Sequence, residues 1–178
     1  MPSMTDPRFS QTISFICSHN EDGAMGIVLN RPSDHNVADL LEQIQLDAQP
    51  TPFLNNHVFE GGPVQQERGF VLHVPHQEYD STIIINDAIA LTTSKDILEA
   101  TANNQAPEKM MVALGYAGWS AGQLEEEMGL NAWLNLETSG SEALHQIIFD
   151  EPSNNRFDLG MQMMGLNLSN LSDVAGHA

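Results

Sequence analysis

Cations are scarce in this chain. Four arginines and two lysines stand against 24 carboxylates in 178 residues, a formal net charge of −18 with histidine neutral. Nucleic acids and anionic membranes are bound chiefly by Lys and Arg that neutralise phosphates, so the balance argues against direct contact with either. Cysteine is nearly missing too. A lone Cys17 excludes an internal disulfide framework and a cysteine-built zinc cage. Within T-I-S-F-I-C it reads as a small buried apolar residue rather than a reactive thiol. No apolar run approaches the roughly 18 residues that span a bilayer. The amino end, M-P-S-M-T-D-P-R-F, has neither the basic flank nor the apolar core of a signal peptide. A soluble, cytoplasmic protein is expected.

The acids themselves come next. At most six of the 24 can find a separate cation, so the rest stay solvated and repel one another. Stability is expected to rise with moderate salt, which screens that repulsion. A partner protein with a basic surface is favoured by the same long-range field.

The length suits one domain, since domains run to about 100–200 residues. Residues 11–17 and 25–29 read as strands joined by H-N-E-D-G. Val37–Ile44 has helical apolar spacing, with Asn36 or Asp34 available as N-cap. His57–Glu60 and Gly69–Val74 read as strands, as do Thr82–Asn86 and Ala88–Thr92 with a turn at Asn86-Asp87. Thr93-Ser94-Lys95-Asp96 has the pattern of a capped helix start. Met110–Leu114 suits a central strand, Ser120–Met128 a helix, and Asn131–Leu136 a strand alternating Ala132, Leu134 and Leu136. A short helix near Leu144 and an amphipathic segment over Ser153–Met164, striped by Phe157, Met161 and Met164, follow. Without a strict βαβ rhythm, the order predicts an α/β fold of the α+β-like kind, a single mixed sheet with helices packed on it.

Chemistry is most nearly suggested by G-W-S-A-G, Gly118–Gly122, which matches the G-x-S-x-G nucleophile elbow. Asp158 or Asp173 and then His177 complete a triad order, so Ser120 is the nucleophile of the alternative reading, a small serine hydrolase. The preferred reading makes Ser120 a helix N-cap with Gln123 as its capping-box partner. Tyr116–Trp119 intervenes between the apolar run and the serine, and Glu125, Glu126 and Glu127 crowd the place where an oxyanion would develop. His177 is penultimate. Trp119 and the same glutamates oppose a dinucleotide fingerprint in G-Y-A-G-W-S-A-G, and no cofactor is expected. Among the seven histidines, His73 and His76 fall on opposite faces of a continuing strand, while His19 and His57 look like turn or edge residues. No metal site is expected.

The stretch E-G-G-P-V-Q-Q-E-R-G-F-V-L-H, Glu60–His73, reads as a sheet corner, because Gly61-Gly62-Pro63 forces a sharp turn. Arg31, in L-N-R-P, and Arg68 are expected to pair with Glu60 and Glu67; with Asn30 they are the alternative candidates for holding an anion. Asn30, Arg31, Glu60, Arg68 and Trp119 are the candidate ligand or partner contacts. Trp133 and Met161 are expected in the core, with Met163 and Met164 also available for contact.

Several stretches line up in one order: C-S-H-N-E-D-G-A-M-G-I-V-L-N-R-P, F-E-G-G-P-V-Q-Q-E-R-G-F-V-L-H, L-T-T-S-K-D-I-L-E, L-G-Y-A-G-W-S-A-G-Q-L-E-E-E-M and N-A-W-L. In these the chain resembles the YqgE/AlgH family. The resemblance implies one domain over residues 1–178, a strongly curved, barrel-like mixed sheet flanked by helices, and no established enzyme activity. It also implies a regulatory role, which the charge makes indirect, through protein contact rather than DNA. Oligomeric state is not implied. Family chains begin with about ten more residues, an extended segment long enough for a strand. The expectation is therefore that the true start lies upstream of Met1; mass spectrometry of a native chain beginning at Met1 or Pro2 would refute it.

Overall fold

A computed structural model describes residues 6–138 and 140–166. Its strands are β1 (Ser14–Asn20), β2 (Gly23–Val28), β3 (Pro32–Asn36), β4 (His57–Glu60), β5 (Val64–His73), β6 (Thr82–Ile84), β7 (Ala90–Thr92) and β8 (Met110–Ser120). The helices are α1 (Val37–Gln43), α2 (Asp96–Ala102), α3 (Gln123–Gly129), α4 (Ser141–His145), which runs into a π-helical turn over Gln146–Asp150, and α5 (Arg156–Met163). The sheet follows the order β1-β2-β8-β5-β7-β6, with β3 paired to β4 and β4 to β8. All pairings are antiparallel except β4 with β8. The result is a curled half-barrel of mixed strands carrying helices, the α/β architecture expected.

Strand β8 organises the sheet, and Gly115 organises β8. Its first half lies between β5 and β4, with Ala113 opposite Phe70 and Phe59; its second half pairs with β2, Trp119 opposite Ala24. At Gly115 φ is +72°, and a Cβ there would sit 2.4 Å from the Gly62 carbonyl oxygen. Gly61 N–H donates to Leu114 O at 2.8 Å, and Gly61 O accepts from Val28 N–H at 2.9 Å. The glycine stretch is thus a corner where β2, β4 and β8 meet backbone to backbone, an approach that a Cβ would block.

The kink also changes which face each residue serves. Before it, Met111 and Ala113 join the cluster of Ile27, Leu29, Phe70, Leu72 and Ile148, while Met110 and Val112 face Val37, Leu41 and Ile97 of the helical layer opposite. After it the parity reverses: Tyr116 packs on the first cluster, and Ala117 and Trp119 form a third with Leu124. One residue in left-handed backbone rolls the strand by half a period, as at a β-bulge.

Four local expectations are corrected. Residues 131–138 form no strand. Strand β8 runs on to Ser120, so Tyr116–Trp119 continues the strand instead of separating it from the serine. Helix α3 starts at Gln123 behind Gly122, its N-cap with φ +75°, and Ser120 lies before it. The Thr93–Asp96 capping box does not form; the Asp96 carboxylate accepts instead from Ser94 Oγ, Asp80 N–H and Ile97 N–H. Helix α1 does have its box, with Asn36 Oδ1 accepting from Asp39 N–H and Asp39 Oδ2 from Asn36 N–H, both at 2.9 Å.

Candidate functional site

The residues singled out from the sequence do not converge. Asn30 and Arg31 clamp the chain that precedes β1: Asn30 accepts from Ile13 N–H and donates to Gln11 O, and Arg31 Nη2 donates to Ser10 O at 2.7 Å. Arg68 is exposed on β5, donating to Gln65 Oε1 and Thr93 Oγ1 and lying 5.7 Å from the Phe70 ring centroid. Glu60 is exposed at the end of β4. Among the described residues neither arginine forms an ion pair with Glu60 or Glu67. Carbonyl and hydroxyl acceptors take the place of the expected carboxylates.

Ser120 is exposed, and its N–H donates to Gln123 Oε1 at 2.9 Å. Strand, turn and helix follow one another as in an elbow, yet among the described residues no imidazole is bonded to its hydroxyl. The expected partners Asp173 and His177 lie outside the described residues, and Asp158 is exposed on α5. His19, in β1, is bonded to Glu125 Oε1 at 2.7 Å. The hydrolase reading is unsupported. Cys17 is buried, and burial pushes its thiol up to about 12, so it is an unreactive core residue at neutral pH. Among the described residues no group of three His, Cys, Asp or Glu is placed to hold a metal, and no helix is long and apolar enough to cross a membrane.

The structure draws attention instead to β1. Among the described residues its outer edge has no partner strand. Leu29 N–H donates to Ile13 O at 2.9 Å, and Phe15 lies opposite Ile27. By the alternation of an antiparallel ladder, the N–H and C=O groups of Ser14 and Ile16 point outward, away from β2. Along this edge runs a groove of about 520 Å³, walled by Ile13, Phe15, Ile16, Trp133, Leu134 and Met161 among others. Phe15 packs with the first core cluster and Ile16 with the tryptophan cluster. Walls from both faces of β1 mean that the groove follows the strand's edge. The segment expected as a strand at 131–136 forms part of the far wall in irregular conformation, and Leu134 is 40% exposed.

One end is built on a carboxylate that the sequence reading left as solvated. Glu127 Oε2 accepts both indole N–H groups, Trp119 at 2.9 Å and Trp133 at 2.7 Å, while Oε1 accepts from Gln123 at 2.9 Å. Burial raises the Glu127 pKa, but these three donors outweigh it, and the group sits below its ordinary value. The two rings meet edge to face at 5.7 Å. Trp119 is therefore buried, held as a wall and not displayed as a free contact. Helical spacing from Gln123 to Glu127 was a readable signal for the first contact; the indoles come from β8 and the 131–138 segment, so their convergence was not.

A family model described as AlgH-like matches residues 1–169. The chain belongs to the AlgH-like family. It is 49% identical over 178 residues to a UPF0301 protein of Thiobacillus denitrificans, covering 100% of this chain and 93% of the relative. A UPF0301 protein of Photobacterium profundum is 47% identical over 182 residues, with coverage of 100% and 95%. The solution structure of the AlgH protein from Pseudomonas aeruginosa, 46% identical, superposes with a TM-score of 0.79 over 100% of this chain and 92% of that one. A crystal structure of protein DIP2367 from Corynebacterium diphtheriae, at 20% identity and a TM-score of 0.65 over 94% of this chain and 83% of that one, shares the fold. None of these names carries a reaction.

Proposed function

We propose that this AlgH-like protein is a cytoplasmic binding protein without enzymatic activity, with an indirect regulatory role exerted through protein contact. The partner offers an extended apolar segment flanked by Lys or Arg, which adds to the outer edge of β1 as a further strand. The carrying observation is the apolar groove along the edge of β1, which has no partner strand among the described residues. Main-chain groups of Ser14 and Ile16 would give affinity, and alternate side chains of the segment would enter the groove for specificity. The exposed Glu125, Glu126 and Glu137, sequence neighbours of wall residues, and the charge of −18 favour basic flanks, and this attraction acts mainly on the association rate.

Selection of displayed peptides on the immobilised protein tests the reading. Enriched peptides are expected to alternate apolar residues and carry basic flanks, to associate more slowly in high salt, and to lose binding to Leu134→Asp, whose thermal melt stays close to wild type. Enrichment without that pattern, or binding indifferent to Leu134→Asp, would refute it.

A further inference from the structure

On the other side of the π-helical turn lies a second cavity, of about 280 Å³, lined by Asn56, His57, Phe59, Met110, Phe149 and Arg156 among others. Arg156 opens helix α5 and is only 5% exposed. Burying a cation without a carboxylate partner is unfavourable, and such groups are normally paired. Here Nε donates to Glu151 O at 2.9 Å and Nη1 to Leu29 O and the Met111 sulfur. Both acceptors in the main chain are neutral. Among the described residues Nη2 has no hydrogen-bond partner, and no carboxylate lies within ion-pair distance of the guanidinium. A chain with only six Lys and Arg has thus placed one in its interior with no ion pair, only the longer-range pull of Glu151, and two donors of its fork unspent among the described residues.

The surroundings define what would satisfy it. Asn55, Asn56, His57 and Ser153 add polar groups to the lining, while Met110, Ile148, Phe149 and Phe59 supply apolar wall, the Phe59 ring lying 5.0 Å from the guanidinium carbon. Helix α5 begins there without a side-chain cap, so its first N–H groups remain available and its dipole favours an anion. Two acids also line the cavity. Asp150 is held by Lys109 at 2.5 Å, whereas Glu151 has no ion pair among the described residues and opposes an anion. A dianionic phosphate would meet that repulsion twice over, and a carboxylate once. The volume lies near the lower end of ligand sites, about 300 Å³, so the ligand is small.

We propose that this cavity binds a small monocarboxylate with an apolar body, its oxygens on Arg156 and its hydrocarbon against Met110, Ile148 and Phe149. The site is independent of the β1 groove: its walls share no residue named for that groove, and its ligand needs no strand edge.

Titration of the full chain with benzoate, butyrate and inorganic phosphate at constant ionic strength tests it, followed by NMR of the Arg156 side-chain Nε–H and the backbone amides of 153–157. Benzoate or butyrate is expected to give saturable shifts there, with phosphate at least tenfold weaker. Arg156→Lys, which keeps the charge and loses the fork, weakens carboxylate binding about tenfold. Glu151→Gln, which removes the opposing charge from a half-buried position, tightens it about threefold and serves as the decisive variant if Arg156→Lys does not fold. Absence of a saturable carboxylate response in both wild type and Glu151→Gln overturns the proposal. So does phosphate binding as tightly as benzoate, or affinity unchanged by Glu151→Gln.

Discussion

At the scale of single residues, backbone and burial decide more than reactive chemistry does. Gly115 and Gly122 both have φ near +70°, at +72° and +75°, but a Cβ on Gly115 meets the Gly62 carbonyl at 2.4 Å and one on Gly122 meets nothing within 4 Å. Gly115→Ala is expected to lose about 3 kcal/mol, left-handed strain plus displacement of the corner, and Gly122→Ala only about 1 kcal/mol. Denaturant midpoints of the two variants check the difference; equal losses would mean that the corner has room to give. His73 is fully buried, its Nδ1–H donating to Val74 O and its Nε2 accepting from Thr92 Oγ1, both at 2.8 Å. Burial, aided by the neighbouring His76, pushes its pKa below the ordinary 6.5 against the Val74 bond. The unfolded chain then takes up a proton on this group at a pH where the folded protein does not. Stability from neutral His73 is therefore full above about 6.5 and falls as the pH drops below it. Measured against His73→Gln, the advantage of wild type should shrink between pH 7.5 and pH 5.5; a constant difference would contradict the assignment.

At the scale of elements, local signals held where the chain itself satisfies its ends. Helix α1 carries its own capping box, so Val37–Ile44 was legible together with its Asn36 cap. Replacing Asn36 with alanine removes the acceptor for Asp39 N–H and leaves that donor without its cap; a loss of about 1 kcal/mol in thermal or chemical unfolding is expected. Helix α2 has the same pattern of residues but spends Asp96 on Asp80 and Ser94, because the returning chain after β5 brings a competing donor. The 131–136 segment alternates like a strand, yet it lies in irregular conformation across the groove from β1, with the indole of Trp133 held by Glu127. Periodicity states which residues seek burial. It does not state whether the main chain joins a ladder.

At the scale of the whole molecule, the charge governs. Three Lys or Arg ion pairs are present among the described residues, with His19–Glu125 a fourth only when the imidazole is protonated, and most are exposed at the surface, where such pairs contribute little. A net −18 remains. Raising salt from about 10 to 150 mM shortens the screening length from about 30 to 8 Å, and the melting temperature should rise with it; a flat or falling curve would show that the acids are spaced widely enough not to interact.

The sequence by itself determined the composition-level properties, an acidic chain with one thiol and the mixed α/β class, together with the position of α1 and β4, the existence of the β1–β2 hairpin though its first strand begins at Ser14 and not at residue 11, and the glycine corner, because these rest on net charge, local spacing and turn chemistry. Only the tertiary structure decided that β8 reverses its faces at Gly115, that Glu127 gathers two indoles, that Arg31 and Arg68 part company, and that Arg156 is buried without an ion pair among the described residues. Each of those depends on which distant segment arrives beside a given side chain. Hydrogen bonds and desolvation act over a few ångströms in space, and separation along the chain carries no record of that distance.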